Sequence, residues 1–156
     1  MNRSLMPADD ASRAHVRRQV LLVGKGPPEA GGIPAFLSNV LASRLVDVHD
    51  LSLCNLADEA MPEGGRLSVA NLRRMWRDLR RVWTAARNRD VVHIHTALAP
   101  TMTCLRAGAL ALVGRARAER VIVHVHGGVV ATWMVGRGRR LAARLALAPA
   151  ATVVTV

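Results

Sequence analysis

The sequence predicts an α/β domain built on a doubly wound parallel sheet, and three observations carry that prediction. Short apolar runs rich in β-branched residues recur along the chain at Val20–Val23, Asp90–His95, Val121–His126 and Thr152–Val156, as expected of strands covered on both faces. Stretches with apolar residues at helical spacing separate them. Loops bearing glycine or histidine follow three of the runs. Strand–helix alternation of this kind implies right-handed crossovers, with ligands bound beyond the carboxyl ends of the strands.

Taken in order, residues 1–18 are polar and lack an apolar signal core, so they read as a disordered leader before a domain spanning residues 19–156. Val20–Val23 form the first strand, and Gly24 ends it. The loop beyond holds Gly24, Gly26, Gly31 and Gly32 with Pro27 and Pro28, and Pro34 suits the first turn of a helix. Phe36, Leu37, Val40 and Leu41 continue that helix to about Arg44. Val46–Leu51 is the second strand candidate. Ser68 reads as the N-cap of a long helix to about Arg87. On it Val69, Leu72, Met75, Trp76, Leu79, Val82 and Trp83 recur at steps of three and four, which predicts a core-facing stripe with the tryptophans inside and a solvated arginine face opposite. A strand at Asp90–His95, a helix over Pro100–Val113, a strand at Val121–His126, a helix from about Val130 to Leu147 and a closing strand at Thr152–Val156 complete the pattern, which is Rossmann-like.

Composition narrows the function classes. The chain has 156 residues, 51% of them hydrophobic, and a formal net charge of +11, enough apolar content for one core. Of the 22 basic residues only Lys25 is lysine, a bias closer to genomic base composition than to a nucleic-acid surface. With one Phe and no Tyr there is no aromatic platform for bases, so no nucleic-acid partner is expected. Cys54 and Cys104 lack any ligand spacing, which favours a reducing compartment. The most apolar stretches are interrupted by Pro100 and Arg106, and by Arg144 and Pro149, short of a membrane span. The expected location is cytoplasmic.

Two His-x-His pairs, His93/His95 and His124/His126, stand at the ends of two strands, and residues two apart share a sheet face. Four such imidazoles could ligate zinc, but neither pair is followed by the Asp or Glu common at hydrolytic metal sites. The expectation is therefore no metal, with His93 and His124 as satisfied core histidines and His95 and His126 at the mouth.

The order of these motifs carries a resemblance. Gly31-Gly32-Ile33 after strand one, the Asp90–His95 run, Val123-His124-Val125-His126-Gly127-Gly128 and the closing Ala151–Val156 together resemble the N-terminal half of family-4 glycosyltransferases, retaining enzymes of the GT-B fold. The resemblance implies one of two Rossmann-like domains facing each other across a cleft. It implies that Gly31 and Gly32 lie under the diphosphate of a nucleotide-sugar donor. It makes His126 the catalytic candidate beside the transferred sugar, with Gly127 and Gly128 near it, and His95 and Thr96 contacts to a glycan or lipid-linked acceptor. No further cofactor is implied. The family's C-terminal domain and its glutamate pair have no counterpart in this sequence, so the chain is expected to be inactive without that domain in cis or in trans.

Two other readings stand beside this one. The arginines and tryptophans of the long helix suit a basic module resting on an anionic membrane surface. A nicotinamide-dependent oxidoreductase would need a close-set glycine fingerprint, which is missing, and an acid ending strand two, a role Asp50 could fill.

Overall fold

The computed structural model describes residues 16–57, 67–127 and 130–155. The leader up to residue 15, the loop at residues 58–66 and Gly128 lie outside the described residues. The chain runs β1 (Gln19–Gly24), α1 (Gly32–Leu41), α2 (Leu45–Val48), β2 (Asp50–Asn55), α3 (Val69–Ala85), β3 (Arg89–Thr96), α4 (Thr101–Arg117), β4 (Ala118–Val125), α5 (Val130–Trp133), α6 (Arg137–Leu147) and β5 (Thr152–Thr155). The five strands form one sheet in the order β2-β1-β3-β4-β5, and every pairing is parallel. This is a Rossmann-like α/β architecture. Strand order reverses between β1 and β3, so the chain's switch point lies at the ends of those two strands.

Register sorts the side chains into two faces. Leu21, Val92 and Val121 align across the sheet, as do Val23, Ile94 and Val123; these meet α3, α4 and α6 in the main core. The alternate residues Leu22, His93, His95 and His124 face the other way, toward α1, where Leu37 is fully buried. α4 lies close enough to the sheet that a Cβ on Gly114 would come 3.1 Å from Val121 and 3.2 Å from Val92. Its Gly108 lets α6 approach, since a Cβ there would sit 2.9 Å from the Ala146 Cα.

Several sequence expectations are corrected. The second strand is Asp50–Asn55, not Val46–Leu51: Leu45–Val48 forms one helical turn with Val46 and Val48 exposed, while Leu51 to Asn55 pair in register with Val20 to Gly24. Ser52, Cys54 and Asn55 gave that strand too little apolar signal to be read from sequence. The helix expected over residues 130–147 is two helices, with Gly136 in extended backbone capping the second. Arg17 and Arg18, assigned to the leader, are tied to the fold: Arg17 Nε lies 2.7 Å from Asp50 Oδ1, and the Asp50 amide donates to the Arg18 carbonyl at 2.9 Å.

The largest correction concerns α3. Trp76 and Trp83 are 64% and 47% exposed, and the buried stripe runs through Asn71, Asp78 and Val82. The helix is thus rotated from the orientation its hydrophobicity suggested. Asp78 is wholly buried and takes an ion pair from α4, with Arg106 Nη2 2.7 Å from its Oδ2. Burial pushes the Asp78 carboxyl up, opposed by Arg106 and Arg77. A buried carboxylate needs a cation beside it or a proton on it, and Arg106 supplies the cation across the α3–α4 contact.

Candidate functional site

The carboxyl edge of the sheet gathers the glycine loop, the end of β3 and the end of β4. α1 begins at Gly32 with Gly31 as its N-cap, and no side chain caps it. Gly31 has φ 141°, a conformation that suits glycine, and a Cβ there would have no contact nearer than 3.8 Å. A Cβ at Gly32 would meet nothing within 4 Å. These glycines therefore do not make room for a protein neighbour; they leave the first N–H groups of α1 open on the side where the helix dipole is positive. Gly24 has the opposite role: a Cβ would meet Leu37 at 3.1 Å and the His95 Cβ at 3.2 Å, so its absence lets α1 and β3 close together.

The loop is held by a residue that the sequence did not advertise. Asn55, at the end of β2, accepts from the Gly26 amide at 2.8 Å and the Ala57 amide at 2.9 Å, and its Nδ2 donates to the Pro27 carbonyl at 2.7 Å. Asparagine at a strand end before a turn was the available signal, masked by the misplaced second strand. Lys25, a candidate to assist phosphate, pairs with Glu29 at 2.7 Å. Asp50 opens β2 rather than ending it and pairs with Arg17, which removes it as a ribose-binding acid. Asn55 occupies the end of that strand instead.

Four histidines collect on the α1 face. Parallel register sets His95 beside His124, and alternation puts His93 and His126 on the same side. His124 stacks on His126 with centroids 4.2 Å apart, and His93 lies 4.2 Å from His95. Phe36, one turn into α1, meets His95, His124 and His126 with centroids 5.0–5.3 Å away. This links the glycine end of α1 to the histidine cluster. His95 Nδ1 and His126 Nε2 are 3.1 Å apart, one donating to the other.

Burial fixes the charge state of the cluster. Desolvation pushes His93 down to about 4, helped by His124 and His126, and His95 down to about 3, helped first by His93. His124 and His126 are also lowered by burial. In all four the shift disfavours the protonated form. The expectation of satisfied core histidines is corrected: the Nε2 atoms of His93, His95 and His124 are buried without a hydrogen-bond partner. Such orphans cost about 1–3 kcal/mol each.

The structure thus brings Gly31, Gly32, His95 and His126 to one edge, with Phe36 between. His95 is not at the mouth: it is 4% exposed, because Phe36 and the neighbouring rings cover it. Thr96 does not join the cluster. Alternation turns its side chain to the opposite face, where it is buried and its hydroxyl donates to the Ala97 carbonyl at 3.0 Å; its own carbonyl accepts from the His126 amide at 2.8 Å. His126 is half-buried and Gly127, with φ 133°, has open space beside it.

The fold and site define a Rossmann-like α/β domain with an open carboxyl edge. Compared with known proteins, the chain matches no family model, no curated protein and no solved structure. Among the described residues no helix is long and apolar enough to cross a membrane.

Proposed function

We propose that this chain is the N-terminal, acceptor-side domain of a retaining glycosyltransferase of the GT-B fold, using a nucleotide-sugar donor and a glycan or lipid-linked acceptor. The observation that carries the reading is the uncapped N-terminus of α1 at Gly31 and Gly32, joined through Phe36 to His126 at the carboxyl edge of a parallel sheet. Open N–H groups at a helix start suit a diphosphate. A neutral imidazole beside open glycine backbone suits a sugar hydroxyl, to which it can donate or from which it can accept. Stabilising the departing diphosphate is an electrostatic task, and backbone donors perform it without a nucleophile. With Lys25 paired to Glu29, the amides of the glycine loop are the donors that this reading uses.

The test is NMR titration of the whole chain with nucleoside-diphosphate sugars. Amide shifts centred on Gly31, Gly32, His126 and Gly127, abolished by Gly31→Val, are the expected result. Shifts elsewhere, or none with any nucleoside-diphosphate sugar, would overturn the reading. Incubated alone with a labelled donor and acceptor, the chain should transfer no sugar.

A second reading has its own observation. Trp76, Leu72 and Val69 stand exposed on α3 among Arg73, Arg77, Arg80 and Arg81, and Arg117 lies over the Trp83 ring at 4.4 Å. An amphipathic basic helix of this kind suits peripheral contact with anionic lipid, where lipid-linked acceptors reside. Flotation with anionic but not zwitterionic liposomes supports it; equal flotation with both, or none, refutes it.

A further inference from the structure

We propose that His93, His95 and His124 form a three-histidine site for a divalent transition metal such as Zn²⁺, with His126 orienting His95. One ring nitrogen from each of the three lies within 4.8 Å of the others, and all three side chains project from one face of two adjacent strands. A tetrahedral site with metal–nitrogen bonds of about 2.0–2.1 Å needs nitrogens about 3.4 Å apart. The metal would draw the three nitrogens together from a separation of up to 4.8 Å.

A second, independent observation points to a ligand. The Nε2 atoms of the same three residues are buried and have no hydrogen-bond partner, and His95 and His124 are more than nine-tenths buried. A protein interior does not normally leave three imidazole nitrogens orphaned side by side. A cation bound to one ring nitrogen of each would give this cluster the partner that it lacks. The fourth histidine completes the arrangement. With His95 Nδ1 donating to His126 Nε2 across 3.1 Å, the lone pair of His95 falls on its orphaned Nε2, which is how a ligating histidine is held by an outer partner.

The donor set selects the metal class. Three neutral imidazoles without a carboxylate or thiolate suit Zn²⁺, Ni²⁺ or Cu²⁺ over Mg²⁺ or Ca²⁺, which prefer oxygen. Cys54 and Cys104 belong to the core on the opposite sheet face, so no thiolate competes. Three protein ligands leave a further coordination position, the pattern of metal sites that take a small exogenous ligand. The inference shares His126 with the glycosyltransferase reading but does not require it, since metal uptake is measured without any sugar donor.

The experiment uses the full chain without a polyhistidine tag, stripped with EDTA and dialysed. Zn²⁺ is titrated by calorimetry and Co²⁺ by visible absorption. The expected result is one ion per chain, Co²⁺ bands of tetrahedral intensity, and a rise in the unfolding midpoint with Zn²⁺ but not Mg²⁺. His124→Gln and His93→Gln should each weaken Zn²⁺ binding at least about 100-fold, and His126→Gln by about 10–100-fold. His49→Gln, whose histidine accepts from the Arg18 amide at 3.4 Å, should leave binding unchanged and serves as the control. If a cluster variant fails to fold, the Co²⁺ spectrum and Zn²⁺ stoichiometry of the unmodified chain decide alone. Octahedral Co²⁺ bands, no uptake, or affinity that survives replacement of His93 and His124 would overturn the proposal.

Discussion

Replacing Arg106 with methionine should be among the most damaging single changes at the α3–α4 contact. Asp78 is fully buried and its Oδ2 lies 2.7 Å from Arg106 Nη2. Removing one partner of a buried pair costs about 3–5 kcal/mol, because the other charge is left in a poor solvent. The lower end, about 3 kcal/mol, is appropriate here: the Arg106 side chain is 21% exposed, and Arg77 Nε remains 3.9 Å from Asp78 Oδ1. For a chain of 156 residues that lowers the unfolding midpoint by about 6–12 °C. Protonation limits the damage. Burial already holds the Asp78 carboxyl above its ordinary range, and losing Arg106 raises it further, so the folded state binds a proton that the unfolded state does not. The deficit relative to the unmodified protein should then shrink by about 1.4 kcal/mol per pH unit on acidification, but only between the variant's value and the parent's own raised value, below which both gain alike. Asp78→Leu combined with Arg106→Met leaves no charge and should return to within about 1.5 kcal/mol of the parent. Urea unfolding followed by circular dichroism at pH 7.5 and 5.5 measures all three. A loss under about 1 kcal/mol for the single variant, or a double variant as unstable as the single one, would refute the reasoning.

Other predictions follow from local geometry. Gly108→Val pushes α6 away, because the Ala146 Cα lies 2.9 Å from the new Cβ position; a loss of about 2–3 kcal/mol is expected in thermal unfolding. Asn55→Ala removes three hydrogen bonds from the glycine loop, so amide exchange across residues 24–31 should accelerate several-fold while global stability falls by about 1–3 kcal/mol. In chelator-treated protein, His93 and His95 are held near 4 and 3 in the fold against an ordinary value of 6.5. Their depressed values cost nothing above pH 6.5. Below it the unfolded chain takes up protons that the fold refuses, and stability falls. After discounting for partial exposure of His93, the loss between pH 7.5 and 5 is about 1–2 kcal/mol per histidine. His95→Leu should flatten that slope, as read by urea unfolding across pH.

Period and punctuation in the sequence determined the α/β class, the alternation of elements and the sheet end where glycines and histidines gather, because apolar runs and glycine loops are local signals that need no partner to be legible. The two His-x-His pairs were visible as sharing a face. What only the tertiary structure decided depends on neighbours distant in sequence. β2 exists because its backbone pairs with β1, not because Ser52, Cys54 and Asn55 favour a strand. The face that α3 buries carries Asp78, which meets Arg106 28 positions later, while Trp76 and Trp83 stay outside, a pairing that helical spacing alone does not record. Thr96 follows His95 directly, yet strand alternation sends it to the other side of the sheet. The histidines became a cluster only when the β3–β4 register set His95 beside His124 and α1 laid Phe36 over them. Periodicity records which residues share a face; the charge, burial and hydrogen-bond state of that face come from what is packed against it.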